Sequence, residues 1–137
     1  AFAETLGLKV QETRVNVTGD FSELIEVTAE SGDQKYSVAG TFFGATPRIV
    51  KINTHYVEAR PSGVLLLIGN RDRPGMVGHF GTILARHNVN IAGMSLSRNQ
   101  EGGEALVVLN LDTLPSQDAL DSLTEVEDIF SARAIVL

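Results

Sequence analysis

The chain has 137 residues, of which 43% are hydrophobic and 20% charged, a composition typical of a folded globular protein and not of a disordered one. Its net charge of -6 argues against a broad nucleic-acid interface, because such interfaces concentrate Lys and Arg against phosphates. The absence of cysteine excludes disulfides and cysteine metal sites. The longest apolar run, residues 64–68, is too short to span a membrane, so we expect a soluble protein. The absence of cysteine fits any redox compartment, and a cytoplasmic location is the default expectation.

The N-terminal residues lack the basic and apolar regions of a signal peptide. The chain also does not begin with Met, and we therefore expect a processed or excised piece of a longer protein.

The first half of the chain predicts strands separated by turns, after a short helical segment at residues 1–6. Alternating apolar and polar residues at 25–29 are typical of a half-buried strand, and a turn at 31–33 joins it to the next strand as a hairpin. A turn-forming stretch at 60–63 marks a domain boundary, which gives domains at residues 1–62 and 63–137. The predicted strands of this half cover residues 12–17, 25–29, 34–43, 48–52 and 56–59.

The second half predicts the order βαββαβ. Val77, Phe80, Ile83 and Leu84 recur at helical spacing after a first strand at residues 64–68. Pro115 and Ser116 are suited to open the second helix, whose buried residues would be Leu120 and Leu123. The remaining predicted strands cover residues 89–97, 104–111 and 129–136. We therefore predict an α+β protein whose second half is ferredoxin-like, with both helices on one face of an antiparallel sheet.

The third strand of this sheet is apolar on both faces. Leu106 and Val108 alternate with Ala105, Val107 and Leu109 along it. Because helices would cover only one face, the pattern predicts that a partner covers the other, and we expect a homo-oligomer.

The loop at residues 69–78 is the strongest candidate for a binding site, since it joins a predicted strand to a predicted helix. A helix N-terminus presents unpaired N–H groups to a carboxylate or phosphate, Asp72 would receive an ammonium group, and the Asn90 amide suits either end of a zwitterion. In the alternative interpretation these residues are structural. Asp72 caps the helix, Gly75 relieves backbone strain, and the Asn90 side chain forms hydrogen bonds with nearby backbone groups. Taken alone, the residues favour this structural interpretation. Neither a P-loop nor a dinucleotide-binding glycine pattern is present.

A basic set formed by Arg48, Lys51, His55 and Arg60 precedes the boundary. Strand alternation separates Arg48 from Lys51, so solvated surface charge is the simpler interpretation, but Arg48 and Arg60 on neighbouring strands would suit an anion. The three histidines do not have metal-ligand spacing, and no serine lies in a nucleophile-elbow pattern. We therefore predict no catalytic residues and no metal or cofactor in this chain.

Three segments, at residues 71–75, 88–92 and 102–105, resemble the ACT-domain pattern of D-3-phosphoglycerate dehydrogenases, and the resemblance covers the second half of the chain. Two upstream segments, at residues 37–44 and 47–52, look like the intervening, allosteric-substrate-binding domain of the long-form enzymes, and this tandem is the more specific signal.

The resemblance implies a parent enzyme that oxidises 3-phosphoglycerate with NAD at the first step of serine synthesis. It also implies inhibition by L-serine bound between paired ACT domains. Catalytic domains with their glycine fingerprint are absent from this sequence, so the chain would be a regulatory fragment with the last part of the intervening domain. An anion site at Arg48 and Arg60 is implied as well. The effector-binding residues carried over from the family are Asn70, Asp72, Pro74, Gly75, Met76, Val77, Gly78, Asn90 and Ile91.

Three alternatives remain open at this point. In the first, the chain is an assembly module that holds an oligomer together without binding an effector. In the second, it is the regulatory part of a serine dehydratase β-subunit, a more distant relative. An autonomous enzyme is the weakest of the three.

Overall fold

The computed structural model describes residues 2–13 and 23–137, which form two antiparallel sheets and three helices within that part of the chain. Of the predicted strand at 12–17, residues 12 and 13 are described and are not in a strand, and the rest lies outside the described residues. The elements are α1 Phe2–Thr5, β1 Ile25–Ser31, β2 Gln34–Phe43, β3 Thr46–Ile52, β4 His55–Ala59, β5 Val64–Arg71, α2 Met76–Arg86, β6 Ile91–Arg98, β7 Glu104–Leu111, α3 Gln117–Thr124 and β8 Ile129–Val136.

The first sheet has the order β1-β2-β3-β4, so each strand pairs with its neighbour in sequence. Gly32, with a φ of 59°, supplies the left-handed residue of the β1–β2 turn. The predicted hairpins are confirmed in position. The prediction of a half-buried first strand is wrong: every residue of β1 is exposed, because no described element packs on either face of this edge strand.

The second sheet has the order β6-β7-β5-β8, with both helices on one face, and the ferredoxin-like prediction is confirmed. β5 lies between β7 and β8 and is antiparallel to both. The register pairs Val64 with Leu111 at one end of the β5–β7 ladder and Arg71 with Glu104 at the other. β6 and β8 are the edge strands.

The main core lies between this sheet and its two helices. Phe80 and Leu84 of α2 and Leu123 of α3 are fully buried against Leu66 and Leu109 of the sheet. The buried face of α2 begins one residue earlier than predicted. Met76 is buried, whereas Val77, which was expected on this face, is 46% exposed. The glycines at 78 and 81 do not serve close packing against the sheet, because a Cβ at either would meet nothing within 4 Å.

The opposite face of the second sheet is covered in part by the first sheet of the same chain. β4 lies across β6 and β7, and a second apolar cluster joins Val57 and Ala59 to Leu65 and Val108. Both faces of β7 are therefore buried by elements of the same chain. The apolar pattern of that strand is consequently not evidence for a partner chain, which corrects the argument made from the sequence.

The two sheets are also joined by hydrogen bonds. The Asn110 side chain accepts from Arg60 N at 3.1 Å through Oδ1 and donates to Arg60 O at 3.0 Å through Nδ2. The Glu58 N–H donates to Ser95 Oγ at 2.9 Å. Side chains of the second sheet thus pair with the backbone at the end of the first.

Candidate functional site

The strand β5 extends further into the candidate loop than the sequence predicted, and this places Asn70 inside the fold. Leu66, Ile68 and Asn70 alternate along β5 and face the helices, so Asn70 lies beneath the start of α2 at 1% exposure. Its Nδ2 donates to Arg71 O at 2.9 Å, whereas no donor among the described residues reaches its Oδ1. Because a buried acceptor without a partner is costly, this atom is suited to receive a donor from outside the chain.

The N-terminus of α2 is open. Gly75 is the N-cap with a φ of 89°, a left-handed conformation that favours glycine, and no side chain in residues 2–13 and 23–137 caps the helix. The alternative interpretation in which Asp72 caps the helix is therefore wrong. The backbone N–H groups of the first turn stay available, next to the positive end of the helix dipole. Val77 and Gly78 are exposed there, as is Pro74 in the preceding turn.

Asp72 is held by an arginine that sequence reasoning did not single out. Its Oδ2 accepts from Nη1 of Arg98, the last residue of β6, at 2.7 Å, and its backbone N–H donates to Gly103 O at 2.8 Å. This hydrogen bond with Arg98 is the main cause that holds the pKa of Asp72 below its usual value, assisted by the Gly102 backbone, while desolvation opposes the shift. The same pair raises the pKa of Arg98. Asp72 is thus an ionised carboxylate at neutral pH.

The two arginines on either side of Asp72 form ion pairs with Asp128 and not with Asp72. Arg73 Nε lies 2.7 Å from Asp128 Oδ2, and its guanidinium also donates to Glu127 O at 3.1 Å. Arg71 Nε lies 3.5 Å from Asp128 Oδ1. Asp128 itself has a φ of 71° in the turn before β8. The turn between α3 and β8 therefore anchors the base of the candidate loop.

Asn90 and Ile91 lie at the far end of the sheet from this loop. Across the sheet, Ile91 pairs with Leu111, and Leu111 pairs with Val64. Val64 and Asn70 are six residues apart on β5, so about 20 Å of strand separates Asn70 from the end of the sheet at which Ile91 lies. Asn90 is exposed, and its Nδ2 donates to Asp112 Oδ2 at 2.8 Å. Ile91 packs against the main core. The predicted effector residues therefore form two groups in one chain, and the structure does not bring them together.

Arg48 and Arg60 do come together, in a polar cleft of about 470 Å³ between β4 and β6. Arg48 Nε lies 3.8 Å from Glu58 Oε1, and its Nη1 donates to Pro47 O at 2.9 Å. Glu58, Ser95 and Asn110 also line this cleft. The cleft is thus polar, and it opens at the joint between the two sheets.

Two further findings concern membrane-spanning helices and metal sites. No helix in residues 2–13 and 23–137 combines the length and apolar character of a membrane span. Within the same residues, no group of three or more His, Asp and Glu side chains is arranged to hold a metal.

Sequence reasoning missed Arg98, Asp128 and Asn110. Arg98 ends a strand and Asp128 sits in a turn, so neither stands out by spacing, and only the antiparallel register brings Arg98 to Asp72. Asn110 interrupts an apolar strand, and that interruption was the one available signal for it.

Comparison with known proteins identifies both halves of the chain. Residues 64–128 match the ACT domain family, and residues 1–53 match the D-3-phosphoglycerate dehydrogenase intervening domain family. The chain is 34% identical over 96% of its length to D-3-phosphoglycerate dehydrogenase of Archaeoglobus fulgidus, and 31% identical over 98% of its length to that of Bacillus subtilis. The relative from Methanocaldococcus jannaschii is 32% identical over 85% of this chain.

The matched region is a small part of each relative. The chain spans 25% of the Archaeoglobus fulgidus protein, 26% of the Bacillus subtilis protein and 22% of the Methanocaldococcus jannaschii protein. From the two family matches and these relatives, we conclude that the chain combines a D-3-phosphoglycerate dehydrogenase intervening domain with an ACT domain.

Proposed function

We propose that the chain is a regulatory region of a D-3-phosphoglycerate dehydrogenase, in which L-serine binds between the ACT domains of two copies as a feedback effector. The parent enzyme would be cytoplasmic and oxidise 3-phosphoglycerate with NAD, using catalytic domains outside this sequence. The domain boundary after residue 62 is part of the proposal. One observation carries it: Asn70 Oδ1 is buried without a hydrogen-bond partner among the described residues, close to a helix N-terminus that no described side chain caps.

The chemistry of the loop suits an amino acid. The free N–H groups at the start of α2 would bind the carboxylate of a ligand, since helix N-termini favour anions. Asp72 carries the negative charge that an ammonium group requires. Asn70 Oδ1 would accept a hydrogen bond from a hydroxyl or an ammonium, which is the property that favours serine over apolar amino acids.

The second group, at Asn90, supports binding between two copies. β6 is an edge strand, and its Met94 and Leu96 are 51% and 42% exposed. If two β6 strands pair antiparallel about Met94, the first residues of one strand lie opposite the last residues of the other. Asn90 of a second copy would then lie near Asp72 and Arg98, and the two-fold axis would generate two equivalent sites.

A second site is favoured by the cleft between the sheets. Arg48 and Arg60 line it together, and the arginine fork is suited to carboxylates and phosphates. We propose that this cleft binds an anionic metabolite of the parent's reaction class, a phosphorylated carboxylic acid. Because Glu58 already pairs with Arg48, such an anion would displace Glu58 from the guanidinium.

The test is isothermal titration calorimetry of the 137-residue chain with L-serine, with glycine and D-serine as comparison ligands. The variant Asn90→Ala removes the second group of the site, and Gln34→Ala, an exposed amide on the first sheet, is the matched control. Inorganic phosphate is titrated separately into the chain and into Arg60→Gln. Light scattering after size-exclusion chromatography gives the oligomeric state with and without serine.

We expect saturable heat with L-serine, weaker heat with D-serine and glycine, and loss of affinity in Asn90→Ala but not in Gln34→Ala. Serine should also increase the dimer fraction, since each ligand would bridge two chains. A dimer that binds no serine at millimolar concentration would contradict the effector site and favour the assembly module. Phosphate binding that is unchanged in Arg60→Gln would contradict the second site.

A further inference from the structure

The ion pair between Asp72 and Arg98 lies at the mouth of the candidate loop. Arg98 Nη1 is 2.7 Å from Asp72 Oδ2, and the two side chains are 51% and 20% exposed. Among the described residues, each is the other's only side-chain hydrogen-bond partner. The pair therefore occupies the position at which an amino acid's two charges would be received.

Arg98 differs from the other two arginines around the loop. Arg71 and Arg73 both pair with Asp128, and Arg73 is fixed further by its bond to Glu127 O. Arg98 pairs instead with Asp72 of the candidate loop and stands at the end of an edge strand, with its side chain 51% exposed. Its guanidinium has five N–H donors on a flexible stem, so it can turn to another acceptor without moving the backbone.

We propose that Arg98 is a specificity-determining residue. It donates to Asp72 in the free protein, and when the ligand's ammonium group takes its place on Asp72, it donates to the ligand's carboxylate together with the N–H groups at the start of α2. This inference rests on the proposed function, because it assigns the charge selectivity of the same site. It adds a residue that sequence reasoning did not include in that site.

Charge balance gives the reason for the selectivity. An α-amino acid brings one positive and one negative group, so both Asp72 and Arg98 are paired before and after binding. An amine without a carboxylate would displace Arg98 from Asp72 and leave the guanidinium without an acceptor. A carboxylic acid without an amine would attract Arg98 and leave Asp72 without a donor. Because each omission leaves one charged group without its hydrogen-bond partner, we expect either ligand to bind about tenfold or more weakly than an amino acid that has both groups.

The experiment compares three ligands that differ by one charged group. L-Serine has both groups, ethanolamine lacks the carboxylate, and 3-hydroxypropionate lacks the ammonium. Each is titrated by calorimetry into the 137-residue chain and into Arg98→Gln and Arg98→Lys. Arg133→Gln is the matched control, because Arg133 is an exposed arginine on the other edge strand, β8. Far-UV circular dichroism and thermal unfolding establish that each variant is folded.

We expect Arg98→Gln to bind L-serine about tenfold or more weakly, and to lose most of the preference for serine over ethanolamine. Arg98→Lys should fall between Arg98→Gln and the unaltered chain, because it keeps the charge and loses the fork geometry. Arg133→Gln should bind all three ligands as the unaltered chain does.

Two results would overturn the inference in distinguishable ways. If Arg98→Gln binds serine as tightly as the unaltered chain and still rejects ethanolamine, the proposed function stands and the role of Arg98 is wrong. If the unaltered chain binds no serine, the effector site itself fails, and the inference fails with it.

Discussion

The two sheets of this protein have the same number of strands and the same antiparallel pairing, but they bury their side chains very differently. The second sheet has α2 and α3 on one face and β4 on part of the other, and Leu66, Ile68 and Val107 are 0% exposed. In the first sheet, every residue of β1 is exposed, and β2, β3 and β4 have only two buried residues each.

An apolar pattern along a strand therefore does not reveal whether another element covers that strand. Ile25 and Val27 alternate with polar residues along β1, and Val38 lies opposite Val27 on β2, but they are 67%, 66% and 42% exposed. Three of the buried residues of the first sheet, Ile52, Val57 and Ala59, belong to the apolar cluster shared with the second sheet. The first sheet therefore depends on the second for its core, whereas the second has a core of its own.

The largest expected effect separates the two kinds of apolar residue. Phe80→Ala should lower the free energy of unfolding by about 3–5 kcal/mol, because the ring is fully buried and its removal leaves a cavity. Val27→Ala should change it by less than about 0.5 kcal/mol, because the side chain is exposed on β1. Urea unfolding followed by circular dichroism measures both. Equal losses in the two variants would show that β1 is covered in solution and would remove the contrast between the sheets.

The next prediction concerns the joint between the sheets. Asn110→Ala leaves the N–H and C=O of Arg60 without their partner at a part-buried site, which should cost about 1–3 kcal/mol. Ser95→Ala removes only one bond, from Glu58 N, and is the milder control. Both tyrosines of the chain, Tyr36 and Tyr56, lie in the first sheet, so their fluorescence reports on that sheet alone.

Circular dichroism at helical wavelengths reports mainly on α2 and α3, which pack on the second sheet. In the unaltered chain we expect the two signals to change together in urea, because the first sheet has little core apart from the joint. In Asn110→Ala the tyrosine signal should change at a lower urea concentration than the helical signal. Coincident transitions in that variant would mean that the apolar cluster, without Asn110, is sufficient to couple the sheets.

Most of the second sheet and its helices could be predicted from the sequence, because each element has its own local signal. Ser116 caps α3 by accepting from Ala119 N, as its position before the helix indicated. Asn88, with a φ of 56°, ends α2 as a left-handed residue. β7 and β8 have the predicted bounds. Periodicity and capping are properties of short segments, so one sequence is sufficient to reveal them.

The candidate site was less predictable, because it depends on which strands are neighbours. The loop at the start of α2 was found from its strand-to-helix position, but the partner of Asp72 comes from the end of β6, 26 residues later. Asn90 and Asn70 were expected in one site, and the parallel course of β5 and β6 places them at opposite ends. Spacing along a sequence contains no information on such distances.

The smallest expected effect is the pH dependence of the Asp72–Arg98 pair. The hydrogen bond from Arg98 lowers the pKa of Asp72 in the folded protein below the ordinary value of 3.8. A lowered folded-state pKa means that the pair's stabilisation is fully present above that ordinary value and is lost as the pH falls through the folded-state pKa. Because both groups are near solvent, the contribution is small and decreases with added salt.

Asp72→Asn should therefore be less stable than the unaltered chain near neutral pH, and the difference in urea midpoint should narrow as the pH is lowered below 3.8. Arg98→Gln should show the same dependence, since either change removes one charge of the same ion pair. Glu26→Gln, an exposed carboxylate on β1, is the control from the first sheet. A difference between Asp72→Asn and the unaltered chain that stays constant down to acidic pH would mean that the amide disturbs the loop by its shape. The ion pair would then contribute nothing measurable to the fold, and its role would be confined to the ligand.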